Sequence, residues 1–113
     1  MFNPVTPQST VAAAIPVEEH WLVLTPEGEI DLTREEQLAS MVDREWGGTN
    51  QNLLVDLNRV TFMDSSGLRW LVTTKQKVEA DGQSFAISLP EDGRIRQLLE
   101  ITALDRVFSI KER

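Results

Sequence analysis

The chain has 113 residues, of which 41% are hydrophobic and 26% are charged, and it carries a net charge of −7. This length and composition fit one compact domain with a single hydrophobic core, and they exclude a chain that stays disordered. Because an acidic chain repels phosphate backbones and anionic lipid, we expect no nucleic-acid partner and no membrane-surface partner.

The sequence lacks the residues that several kinds of metal, disulfide and cofactor site require. Cysteine is absent and the only histidine is His20, which excludes disulfides, thiolate sites and sites of several histidines. The absence of cysteine and the single histidine lead us to expect no metal site. No glycine-rich phosphate loop is present, so we also expect no cofactor. No apolar run approaches the roughly 20 residues of a membrane span, and the N-terminus lacks the basic start of a signal peptide. These features predict a cytoplasmic protein.

The N-terminal region is predicted to divide into an arm and a domain. Residues 1–10 are polar and carry two prolines, which predicts a flexible arm, and the domain itself is expected to span 11–113. A short apolar run at 11–15 fits an edge strand. The run 20–25 is typical of a strand, and the turn residues directly after it end that strand.

A helix is predicted next, followed by a buried strand. Thr33 and Glu36 fit a capping box, in which each side chain binds a free backbone N–H of the first turn. Apolar residues then recur at helical spacing until the Gly47–Gly48 pair ends the helix. The nearly continuous apolar run 53–57 indicates a strand covered on both faces, and Asp56 within it is expected to bind nearby backbone amides.

A second helix is predicted to follow Ser66, with one apolar arc that faces the core and Trp70 outside that arc. A strand at 84–89, a third helix that opens at 90–92 and a short strand at 107–110 complete the pattern. Alternating strands and helices imply right-handed crossovers. The sequence therefore predicts a single small α/β domain, with a mostly parallel or mixed sheet of four to five strands and flanking helices.

The stretch 60–68 holds the most unusual cluster of polar residues. It lies where a strand gives way to a helix, which is the end of an α/β sheet where binding sites gather. Asp64, Ser65 and Ser66 are all favourable helix N-caps, and a helix N-terminus favours an anion such as a phosphoryl group on a serine. Spacing alone favours the plainer interpretation that these residues only cap the helix, since Ser and Asp are common caps.

The segment from Phe62 to Leu68, preceded by the apolar strand 53–57, resembles the signature of STAS domains. It is most similar to that of bacterial anti-sigma factor antagonists. Residues 28–31 resemble the Gly-Glu-Leu-Asp segment of the same family, and 98–108 resemble its C-terminal helix and last strand. The resemblance implies the STAS fold for most of the chain.

The resemblance also implies a function and a site. Ser65, directly after the aspartate of the motif, corresponds to the serine that a partner kinase phosphorylates, with Asp64, Ser66, Gly67 and Asp31 supporting it. Unphosphorylated protein would sequester a kinase-type anti-sigma factor and so release a sigma factor. A phosphate on Ser65 would block that contact, and a serine phosphatase is the further partner implied.

Two residues after the motif depart from the family pattern. Arg69 stands where the family usually has Gly, and Trp70 where it often has Val or Ile. We assign both residues to partner contact. For Trp70 the helical spacing leaves two alternatives: an anchor on the outer face, or packing sideways against a neighbouring helix or loop.

Two other functions are kept as alternatives. A constitutive STAS subunit of a transporter or signalling assembly would need no phosphorylation. A small serine hydrolase that uses Ser65 or Ser66 would need His20 as its base, and we expect that histidine to be structural. We therefore expect that the protein is not an enzyme.

Overall fold

The computed structural model describes residues 21–111. The arm predicted at 1–10, the strand at 11–15 and His20 lie outside the described residues. The strands within the described range are β1 (Trp21–Leu24), β2 (Gly28–Ile30), β3 (Asn52–Asp56), β4 (Val60–Met63), β5 (Phe85–Ser88) and β6 (Ser109–Ile110). The helices are α1 (Glu35–Glu45), α2 (Ser65–Ala80) and α3 (Arg94–Ile101), with short 3-10 turns at Leu32–Arg34 and Leu104–Arg106.

The strands form two sheets. A four-stranded sheet has the order β1-β3-β5-β6, and β2 pairs with β4 in a separate two-stranded sheet. The four pairings in the described range are all parallel. Helices cross between the parallel strands, as alternating elements require. The predicted α/β class, with a sheet of four strands and flanking helices, is confirmed.

The central strand β3 is buried on both faces, as its apolar run predicts. Leu53 and Val55 belong to the main core, which also contains the apolar residues of the helices. Leu54 points to the opposite face, where it packs with Trp21 and Ala86. The sheet therefore has an apolar side chain on each face along its centre.

Asp56 at the end of β3 is buried, and it binds a neighbouring turn. Its Oδ1 accepts hydrogen bonds from the Asn58 backbone N–H at 2.9 Å and from the Asn58 side-chain amide at 2.6 Å. The expectation that Asp56 binds nearby backbone amides is confirmed. Asp56 therefore has a structural role where β3 turns toward β4.

The predicted capping box of Thr33 and Glu36 is wrong. Asp31 is the N-cap of a 3-10 turn, and its Oδ1 accepts a hydrogen bond from the Thr33 backbone N–H at 3.0 Å. The Thr33 hydroxyl donates to the same carboxylate, and α1 begins only at Glu35. The physical reason is that the chain turns directly after β2, so a residue next to the strand end closes the first turn.

No helix of the described range has the combination of length and hydrophobicity that crossing a bilayer requires. The longest helix, α2, carries charged residues as well as its apolar face.

Candidate functional site

The C-terminal ends of β2 and β4 meet at one edge of the two-stranded sheet. The backbone N–H of Asp64 donates to the carbonyl oxygen of Ile30 at 3.3 Å. Asp31, the residue after Ile30, therefore lies beside Asp64. The Oδ1 atom of Asp64 accepts a hydrogen bond from the Ser66 backbone N–H at 2.8 Å, which makes Asp64 the N-cap of α2. The two aspartates thus follow neighbouring strand ends at this edge.

The two serines of the motif differ in exposure. Ser65 is the first residue of α2 and is exposed to solvent, whereas Ser66 is only 9% exposed. α2 thus begins before the predicted start after Ser66, and Asp64, not Ser66, is the N-cap. The backbone of Asp64 is extended and its side chain reaches two residues ahead, so Asp64 caps the helix.

Gly67 is a point of close approach between α2 and the two-stranded sheet. A Cβ atom at this position would collide with the Cγ atom of Met63 and lie within about 3 Å of Sδ of Met63 and Cγ2 of Ile30. Only glycine lets the first turn of α2 sit this close to both strands. Gly67 therefore supports the position of Ser65 through packing.

Arg69 lies on the exposed side of α2 and binds α1. Its Nε and Nη2 atoms lie 2.9 and 2.6 Å from Oε2 of Glu35. Two turns further along both helices, Lys77 Nζ lies 2.7 Å from Oδ1 of Asp43. The equal spacing of the two ion pairs shows that α1 and α2 run parallel to each other.

The assignment of Trp70 to partner contact is wrong, because Trp70 is 4% exposed and belongs to the main core. Residues seven apart share a helix face, so Trp70 lies on the same flank of α2 as Lys77, which contacts α1. Trp70 is therefore packed inside the domain, and the first alternative, an anchor on the outer face, is wrong. Within the described range its Nε1 atom is buried without a hydrogen-bond partner.

Two exposed apolar side chains at this edge were missed by the sequence-based predictions. Leu32 follows Asp31 and is 62% exposed, and Phe62 in β4 is 48% exposed. Phe62 is exposed although its neighbour in β4, Met63, is buried. A large apolar side chain favours burial, so the sequence gives no signal for this exposure. We define the Ser65 surface as Asp31, Leu32, Phe62, Asp64 and Ser65.

The Ser65 surface combines an accessible hydroxyl, fixed negative charge and apolar area. Among the described residues no cluster of three or more candidate ligands for a metal ion is present. The arrangement suits a binding surface, on which apolar side chains provide contact area and a hydroxyl can carry a modification.

Comparisons with known proteins point to one family. The sequence model of the STAS domain matches residues 12–113. The anti-sigma-F factor antagonist RsfB of Mycobacterium tuberculosis is 30% identical over 89 residues, which cover 78% of this chain and 70% of RsfB.

Solved structures show the same fold. A Thermotoga maritima protein, TM1081, assigned to the anti-sigma factor antagonists, superposes with a TM-score of 0.71 at 24% identity, covering 82% of this chain and 79% of that one. The anti-sigma factor antagonist SpoIIAA in its unphosphorylated form superposes with a TM-score of 0.68 at 20% identity, covering 88% and 84%.

Proposed function

The chain belongs to the STAS domain family, among the anti-sigma factor antagonists, and from that premise we propose that it is a binding module switched by phosphorylation of Ser65. Unphosphorylated protein sequesters a kinase-type anti-sigma factor through the Ser65 surface and so releases a sigma factor. A phosphate on Ser65 blocks that contact, and a serine phosphatase restores it. The protein acts by binding and has no catalytic turnover of its own.

The observation that carries this proposal is the difference between the two serines. Ser65 is exposed at the start of α2, while Ser66 is 9% exposed. A kinase must bring the serine Oγ within bonding distance of a phosphorus atom, which an exposed hydroxyl allows. Ser65 is therefore the hydroxyl of the pair that a partner kinase can reach.

The chemistry of the switch requires little from this chain. The Ser65 Oγ attacks the γ-phosphorus of ATP, an O–P bond forms, and the bond to the leaving ADP breaks. A base of the kinase accepts the hydroxyl proton. This chain contributes the position of Oγ, which the Asp64 cap and the close packing of Gly67 hold at the start of α2.

The effect of the phosphate is electrostatic. It adds about −1.5 to −2 charges at pH 7, beside the carboxylates of Asp31 and Asp64. Because Ser65 is exposed and the start of a helix favours negative charge, the domain stays folded. A partner docked over Leu32 and Phe62 then meets an unpaired dianion and a steric bulge.

The test uses the kinase-type anti-sigma factor of the same genome with ATP, followed by mass spectrometry. We expect one phosphate on Ser65 in the wild type, none in Ser65→Ala, and retained phosphate in the matched variant Ser66→Ala. Calorimetry should show binding by unphosphorylated protein and by Ser65→Ala, and loss of binding after phosphorylation.

The proposal fails if the phosphate is found elsewhere with Ser65 unmodified. Binding that is unaffected by phosphate, or a lack of phosphate transfer, would favour the alternative of a constitutive subunit in a transporter or signalling assembly. Ser65→Asp should mimic the blocked state only in part, because it carries less charge than a phosphate.

A further inference from the structure

Ser65 and Arg69 are neighbours on the exposed face of α2. They lie four residues apart, and residues at this spacing have Cβ atoms about 5–6 Å apart on a helix surface. Ser65 is exposed, and the Arg69 side chain is 61% exposed. A guanidinium on its long side chain can therefore reach a group attached to Ser65 Oγ.

Arg69 has a single carboxylate oxygen as its partner. Its Nε and Nη2 atoms both bind Oε2 of Glu35, so the pair does not use both carboxylate oxygens. Both side chains are accessible to water, and exposed ion pairs of this kind are weak. A stronger anion within reach of Arg69 can replace Glu35.

We propose that Arg69 changes partners when Ser65 is phosphorylated, leaving Glu35 and binding the phosphate. The inference rests on the proposed phosphorylation of Ser65. A phosphate carries more charge than a carboxylate and offers three acceptor oxygens, which the planar guanidinium can bind in a bidentate manner.

Arg34, another cation near this edge, is already occupied. Arg34 donates through Nη1 to the carbonyl oxygens of Glu27 and Glu29, both at 2.7 Å, and through Nε to Gln37. These bonds tie the Arg34 guanidinium to backbone carbonyls just before and within β2 and to a side chain of α1. Arg69 is therefore the cation that the geometry makes available to the phosphate.

Through this exchange of partners, phosphorylation at the start of α2 would also change the charge at the start of α1. Arg69 offsets part of the phosphate charge, while the carboxylate of Glu35 loses its cation at the first turn of α1. The ion pair of Lys77 with Asp43 continues to join the two helices. A docked partner would then meet new negative charge at the start of α1 as well as at Ser65.

The experiment places phosphoserine at position 65 during translation of the full chain and follows the phosphate by ³¹P NMR against pH. An adjacent cation stabilises the dianion and lowers the second pKa of the phosphate, which is about 6 in a free phosphoserine. Arg69→Gln should therefore raise that pKa by about half a pH unit. The matched control Arg44→Gln removes an exposed cation at the far end of α1 and should leave it unchanged.

A second measurement follows the Arg69 Nε–H resonance. It should shift and exchange more slowly with water when position 65 changes from serine to phosphoserine. Equal pKa values in Arg69→Gln and Arg44→Gln, or an Arg69 resonance unaffected by the phosphate, would overturn the exchange.

The two proposals can fail separately. Because translation supplies the phosphoserine, the titration does not depend on any kinase or anti-sigma factor. Absent phosphate transfer or binding would contradict the proposed function and leave the NMR result standing. Equal pKa values would contradict the exchange and leave the proposed function standing.

Discussion

The carboxylates of Asp31 and Asp64 make the same hydrogen bond at the ends of two adjacent parallel strands. Each Oδ1 accepts from the backbone N–H two residues ahead, at 3.0 Å for Asp31 and 2.8 Å for Asp64. Each aspartate therefore starts the turn or helix that follows its strand. As a result, hydrogen bonds to the backbone hold both negatively charged carboxylates near the start of α2.

The first prediction concerns the cap of α2. Asp64→Ala should lower the free energy of unfolding by about 1 kcal/mol, because the Ser66 N–H loses its acceptor. Asp64→Asn should retain most of the stability, since asparagine caps equally well. Urea denaturation measures both. Ser66→Ala is the control for the motif, and a loss as large as that of Asp64→Ala would contradict Asp64 as the cap.

The second prediction concerns the contact of Gly67 with β4. Gly67→Ala should destabilise the fold by about 1–3 kcal/mol, because the added Cβ collides with the Met63 side chain. Met63→Ala removes the colliding atoms, so Gly67→Ala should cost less in that background. Urea denaturation of the four proteins in this cycle gives the coupling energy. Simple additivity would mean that Met63 does not set the requirement for glycine.

The third prediction concerns the buried indole. Trp70→Ala should destabilise the protein by about 3–5 kcal/mol, because a large core side chain is lost. Trp70→Phe should cost much less, since it keeps an aromatic ring and removes the unpaired Nε1–H. Thermal unfolding compares the two variants. A Trp70→Ala protein with unchanged stability would contradict the burial of Trp70 in the main core.

The fourth prediction concerns Ala103, the second residue after α3. The backbone of Ala103 has φ +63°. This left-handed conformation is unfavourable for residues with a Cβ atom, because the Cβ lies too close to the following carbonyl oxygen. Ala103→Gly should therefore raise the free energy of unfolding by about 1 kcal/mol. Ala39→Gly on the exposed face of α1 is the matched control, and it should lower stability by a similar amount. If both substitutions changed the free energy of unfolding in the same direction, the proposed backbone strain at Ala103 would be refuted.

Local patterns in the amino-acid sequence determined much of the fold. The apolar run 53–57 identified β3, and polar caps at 64–66 located the start of α2 to within two residues. The motif around Ser65 indicated the family, which the similarity to known STAS proteins confirms. These features depend on periodicity, capping and motif residues that are close in the chain, so the sequence contains them directly.

Tertiary structure decided which side chains are buried by neighbouring elements and which stay exposed. Trp70 is buried in the main core although helical spacing places it outside the apolar arc, and Phe62 in β4 is 48% exposed although it is a large apolar residue. The contact of Arg69 with Glu35 likewise joins two helices that are far apart in the sequence. Helical spacing gives the direction of a side chain on its own helix. It carries no information about which element packs there, and that packing sets burial and partners.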